Sequence, residues 1–194
     1  MTTLTIAIII FAIAALFLMF RSKDLLRDEV QDDAFKANAL AMNITDPKKP
    51  FSLARVQVAL WTIIIACSYI RVYFCDGCCT ETVLKLNNTA LTLLGVSVGA
   101  LGVAGATDNS QQNNPKRHQN HPSQGLFNDI LSDENGICIH RFQALLFTVI
   151  AIIIYINKVI CSCASLPELD TTLLGIITLS YSGYVGIKIS ENKS

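Results

Sequence analysis

Leu53-Ala54-Arg55-Val56-Gln57-Val58-Ala59-Leu60-Trp61-Thr62 returns without a gap as Ile139-His140-Arg141-Phe142-Gln143-Ala144-Leu145-Leu146-Phe147-Thr148. The same offset of 86 residues carries on through Ile64/Ile150, Tyr69/Tyr155, Ile70/Ile156 and Cys75/Cys161. Eight identities in 23 positions, with Arg-x-Gln repeated among them, exceed what two apolar stretches share by composition. Farther on, Thr92-Leu93-Leu94-Gly95 matches Thr172-Leu173-Leu174-Gly175, after a loop six residues shorter in the second copy. Upstream, Ile44-Thr45-Asp46 echoes Leu131-Ser132-Asp133. The chain therefore reads as a duplicated unit.

Each copy holds two long apolar runs, about Val56 to Phe74 and Thr89 to Ala106, then Phe142 to Ile160 and Thr171 to Ile187. A fifth, Leu4 to Phe20, precedes them without a charge. About 20 apolar residues cross a bilayer, and in lipid only a helix satisfies its own backbone. Composition agrees: 52% of the 194 residues are hydrophobic and 15% charged, against about 25% charged in ordinary soluble domains. The expected fold is an all-α, polytopic membrane bundle of five transmembrane helices. With two spans per copy, both copies enter from one side, so the last four helices form a parallel duplicated hairpin about a pseudo-two-fold axis along the membrane normal.

Orientation follows from Lys and Arg. With the N-terminus outside, twelve face the cytoplasm, and Arg71, Lys85 and Lys158 lie outside. The first span reads as an uncleaved anchor rather than a signal peptide, because Arg21, Lys23 and Arg27 follow the apolar run instead of preceding it. The chain then divides into an anchor (1–21), a cytoplasmic amphipathic helix and turn (22–51), a first hairpin (52–106), a cytoplasmic linker with a short amphipathic helix (107–138), a second hairpin (139–189) and a tail (190–194).

In the second of these, Ser22 caps a helix running to Asn43, with Leu26, Val30, Ala34, Ala37 and Ala41 at helical spacing. Its acidic residues Asp24, Asp28, Glu29, Asp32 and Asp33 read as a solvated face. Residues 108–124, rich in Asn, Gln, His and Pro, read as a flexible linker. His118 and His121 there are a weak ligand set, so no metal or other cofactor is expected. Ser123 is expected to cap a short helix with Leu126, Phe127, Ile130 and Leu131 on one side.

Lys49-Pro50-Phe51-Ser52-Leu53-Ala54-Arg55 with Gln57, the stretch Leu93 to Ser97, and Asp133 to Gly136 before the second Arg-x-Gln resemble a set of predicted bacterial inner-membrane proteins with the same two hairpins and no established activity. The resemblance covers about residues 48–190. It departs in the Cys-rich outer loops and at Gly175-Ile176-Ile177, where a Ser is lost. It implies architecture and a bacterial inner (plasma) membrane, not a mechanism.

The chemistry-bearing residues are few. Arg55, Gln57, Arg141 and Gln143 sit at equivalent cytoplasmic entrances, suited to headgroup anchoring, a hydrogen bond between the two Gln across the axis, or an anionic lipid or ligand. Gly95, Gly99 and Gly102 have helix-packing spacing. Thr178, Ser180 and Ser182 could line a pore or bond back to their own helix. Cys75, Cys78, Cys79, Cys161 and Cys163 fall in the outer loops as disulfide candidates, with thiol or metal chemistry as the alternative. No span carries Asp, Glu or Lys at its middle, which counts against ion-coupled transport. No nucleophile elbow, phosphate loop or paired catalytic carboxylates points to an enzyme, and zero formal charge gives no reason to expect nucleic acid.

The expected role is a structural or partner-binding subunit of a larger or homo-oligomeric membrane complex, its partners being the bilayer, further copies or other subunits. The alternatives are an oligomeric ion-conducting pore or membrane-perturbing effector, and a thiol or metal-binding membrane protein.

Overall fold

A computed structural model describes residues 2–22, 24–75, 86–111, 114, 117–133, 136–161 and 165–190. Five long helices dominate: α1 (Thr2–Arg21), α3 (Leu53–Cys75), α4 (Asn88–Ser110), α6 (Ile139–Cys161) and α7 (Thr171–Ser190). Two short ones, α2 (Asp32–Ala41) and α5 (Leu126–Leu131), lie between them. A 3-10 turn covers His118–Asn120, and a two-stranded ribbon pairs β1 (Ser132–Asp133) antiparallel with β2 (Gly136–Ile137). Positive φ at Gly125 (108°) and Gly136 (109°) opens α5 and β2, a conformation that a Cβ disfavours.

The architecture is an all-α bundle. Leu53–Phe74, Asn88–Ser110, Ile139–Cys161 and Thr171–Ile189 are long and apolar enough to cross a membrane, and α1 is a shorter apolar helix over Thr5–Arg21. In α6 the buried residues Arg141, Ala144, Thr148, Ala151, Tyr155 and Val159 recur every three or four positions. The intervening Phe142, Leu146, Val149, Ile153, Ile156 and Ile160 are exposed. One stripe faces protein and the other suits lipid, where no hydrophobic penalty attaches to exposed Ile.

Helix α3 packs on α4, α4 on α7, α7 on α6, and α6 back on α3, while α1 lies outside against α3. This neighbour order differs from the expected axis. A two-fold down the centre of the four helices would set α3 diagonal to α6 and α4 diagonal to α7, whereas both pairs are neighbours. Specific bonds hold them so. The Gln57 amide of α3 donates to α6 at Ala144 O (3.4 Å) and Thr148 Oγ1 (3.0 Å). Near the start of α4, Thr89 Oγ1 accepts from Leu169 N (3.1 Å) just before α7. The core between them is aromatic, with Trp61 and Tyr155 edge to face at 6.1 Å.

The ends of α1, α4 and α7 and the starts of α3 and α6 meet at one end of the bundle, which the short elements cap. Here the structure corrects two expectations. The segment 22–43 is not one helix: α1 runs to Arg21, and α2 begins only at Asp32. Between them the chain pairs with the entry to α3, through Asp28 N to Pro50 O (2.9 Å) and Ser52 N to Leu26 O (2.8 Å). Phe35 and Ala39 form the buried face of α2, and Ala37 and Ala41 are exposed.

Nor are the described residues of 108–124 a free linker. Arg117, Gln119 and Asn120 are buried. Asn120 accepts from Gln31 N at its side chain (2.9 Å) and from Asn38 Nδ2 at its carbonyl (3.1 Å), which docks the segment on α2. Gly125, not Ser123, precedes the first turn of α5. Ser123 Oγ instead donates to Asp129 (2.6 Å), and Asp129 also accepts from Phe51 N (3.0 Å). Ile130 is buried, but Phe127 points away from the protein at 69% exposure.

Candidate functional site

The capped end holds a buried network of charged side chains. In α4 the inward stripe Leu93, Ser97, Ala100, Ala104 ends at Asp108. In α7 the stripe Ile177, Tyr181, Tyr184 ends at Lys188. The Lys188 ammonium lies 3.1 Å from Asp108 Oδ2 and 3.7 Å from Asp28 Oδ1. From the loop after α4, Arg117 Nη2 reaches Asp108 Oδ1 at 2.6 Å, and Arg117 Nε donates to Gln119 (3.3 Å). Arg141, at the start of α6, is 5% exposed, with its guanidinium 5.7 Å from the centre of the Tyr184 ring. All of these side chains are nearly closed to solvent, so each charge depends on its neighbours.

Three cations, Arg117, Arg141 and Lys188, meet two carboxylates, Asp28 and Asp108. Burial pushes the Asp28 carboxyl up, but Lys188, a hydrogen bond from Ser52, Arg141 and Arg117 outweigh it and hold the group below the ordinary carboxylate range. An ion network out of water is costly unless every member is paired. Here the partners come from α4, α6, α7, the segment after α1 and the loop after α4, so the network ties five separate pieces of chain. A small cavity of about 40 Å³ beside it is lined by Asp28, Arg141, His118, His121 and Asp129, among others.

The two Arg-x-Gln pairs diverge. Arg55 is half-buried, pairing with Glu29 at 3.2 Å and donating to Asp24 O at 3.4 Å, whereas Arg141 is inside the network. Gln57 is fully buried and bonds to α6 as described, but Gln143 is exposed. The expected Gln57–Gln143 bond is therefore replaced by Gln57–Thr148. Gly95, Gly99 and Gly102 are exposed, with open space where a Cβ would stand, because α4 buries the opposite face. They make no close helix contact within the chain among the described residues.

Thr178, Ser180 and Ser182 each donate to the carbonyl four residues back. Ser180 is buried, and the other two are exposed on the bundle's outside. Cys161 carries a free, exposed thiol 3.9 Å from Asn157 Oδ1, so it forms no disulfide. Cys78, Cys79, Cys163 and the side chain of Cys75 lie outside the described residues. Among the described residues no cluster of His, Cys, Asp and Glu is arranged for a metal.

Sequence reading missed Asp28, Asp108, Arg117 and Lys188. Asp28 and Arg117 carried no signal, being in segments taken for a solvated face and a linker. Asp108 and Lys188 did carry one. The Leu-Leu-Gly alignment has an offset of 80, which makes them equivalent positions of opposite charge. Comparison with known proteins adds nothing to this geometry: no family model, curated protein or solved structure matches the chain.

Proposed function

We propose that this chain is a multi-pass membrane protein of a bacterial inner membrane that acts as a structural, partner-binding subunit of a homo-oligomeric or larger complex. In this reading α1 is a fifth span, the N-terminus is outside, and the charge-networked end faces the cytoplasm, where twelve of the fifteen Lys and Arg fall. The pairing of Asp108 with Lys188 at equivalent repeat positions supports a duplicated hairpin.

One observation carries the partner-binding role. On the capping elements, outside the candidate spans, three large apolar side chains point outward among exposed charged ones such as Asp32, Asp33 and Lys36. Leu40 is 79% exposed, Ile137 74% and Phe127 69%. Phe127 and Ile137 stand on the contacting elements α5 and β2, and apolar groups exposed together on a polar cap suit a partner's surface. The bundle interior is closed by Trp61, Tyr155 and Tyr181, so a solute path through a single chain has little support.

The test is the size of the particle extracted from native membranes in mild detergent, for the wild type and for Leu40→Ser/Phe127→Ser/Ile137→Ser. The wild type should run as an oligomer or with a stoichiometric partner, and the variant should fall to a single chain with unchanged thermal stability. A wild type that runs alone under every extraction condition overturns the reading. Ion flux from liposomes holding the purified chain would favour the pore instead.

A further inference from the structure

Where α1 ends, a second cavity of about 550 Å³ opens between the end of that helix, the segment after it and the turn before α3. Four cations line it: Arg21, Arg27, Lys48 and Lys49. Only two carboxylates do, Asp24 and Asp46. Lys49 pairs with Asp24 at 3.4 Å. Arg27 is stacked 4.2 Å over the Phe51 ring and donates to the carbonyl of Lys49. Arg21 and Lys48 have no ion pair among the described residues, and both are exposed toward the cavity. The site therefore holds two positive charges more than its own acids balance.

Its other wall is apolar. Phe20 and the buried Phe35 line the cavity, and Phe17 and Phe20 are exposed on the flank of α1 directly before it, at 60% and 44%. A basic pocket continuous with an apolar helix flank matches a molecule that joins a phosphate to hydrocarbon chains. Basic pockets at the cytoplasmic ends of transmembrane helices take acidic headgroups by this arrangement.

We infer that this cavity binds the headgroup of one acidic phospholipid of the inner leaflet, with Arg21 and Lys48 as the headgroup ligands and the acyl chains along Phe17 and Phe20. The inference rests on the membrane reading above, but not on the oligomer or partner. Phosphate is the shared chemistry of a lipid and a free anion, and the continuous apolar flank favours the lipid.

The experiment is native mass spectrometry of the purified full chain released from nanodiscs of phosphatidylglycerol or of phosphatidylcholine. The expected result is one retained phosphatidylglycerol per chain, favoured by about tenfold or more over phosphatidylcholine, on the scale of two interfacial cations. Arg21→Gln/Lys48→Gln should lose that preference, and Lys36→Gln, on the exposed side of α2, should keep it. Equal retention of both lipids by the wild type, or an unchanged preference in the double variant, overturns the proposal. Displacement of the lipid by millimolar inorganic phosphate would also overturn it, assigning the site to a soluble anion. Carbonate extraction of native membranes reads the membrane placement separately: a chain released by carbonate would sink that placement, whatever lipid it binds.

Discussion

Asp108 and Lys188 stand eighty residues apart, near the ends of α4 and α7, and meet 3.1 Å apart inside the bundle's capped end. One helix supplies a carboxylate and the other an ammonium, and side-by-side packing of α4 and α7 turns that difference into a bond. At the opposite end the same offset joins Thr89 to Leu169. The two helices run in register from end to end.

Removing the Lys188 ammonium leaves Asp28 and Asp108 buried together with less compensation. Lys188→Met should destabilise the chain by about 3–5 kcal/mol, the usual result of breaking a buried network from one side. Thermal unfolding in detergent measures it. A loss below about 1 kcal/mol would mean that the network is open to water.

Arg55 and Arg141, the two Arg of the Arg-x-Gln pairs, differ in burial. Arg55 pairs at the surface with Glu29, itself 64% exposed, so Arg55→Gln should cost less than about 1 kcal/mol. Arg141→Gln removes a buried cation facing Asp28 and the Tyr184 ring and should cost several-fold more. Equal costs would contradict the different burial of these equivalent residues.

Acid should act through Asp28. Its carboxyl is held below the ordinary range in the fold, so its contribution is complete above the unfolded value of about 3.9 and fades as pH falls below that. The melting temperature should therefore drop steeply on the acid side of about pH 4. Asp28→Asn should be less stable at pH 7 and show a flatter acid limb. The same slope in wild type and variant would remove Asp28 from the network.

Helical content and the apolar spans were legible because hydropathy over twenty residues is a strong, local signal. The inward stripes were legible in principle, since Ala144, Thr148, Ala151 and Tyr155 recur at helical spacing in a run with no other polarity. The cap was not. The spacing around Asp28 suggested a helix that does not form there, Arg117 lies in a segment without periodicity, and the network that buries both closes only through Lys188 of α7, far along the chain. Composition alone made 108–124 look like a linker, because Asn and Gln that dock on a neighbouring helix are indistinguishable by type from those that face water. The glycine stripe failed for a related reason: spacing shows that Gly95, Gly99 and Gly102 share a side of α4, but not which side the bundle covers.

The placement of the two ends can be tested through Cys161, whose thiol is free and exposed at the end of α6 opposite the cap. In a chain whose other cysteines are replaced by Ser, a membrane-impermeant maleimide should label Cys161 in intact cells with the outer barrier opened. A single Cys introduced at Leu40, on α2 in the cap, should react only after the inner membrane is permeabilised. The two sites lie at opposite ends of the bundle, so one orientation cannot expose both to the same compartment. Labelling of position 40 but not Cys161 in intact cells would invert the assignment drawn from the Lys and Arg distribution. Labelling of both at equal rates would mean that the four apolar helices do not span a sealed bilayer, whatever their length.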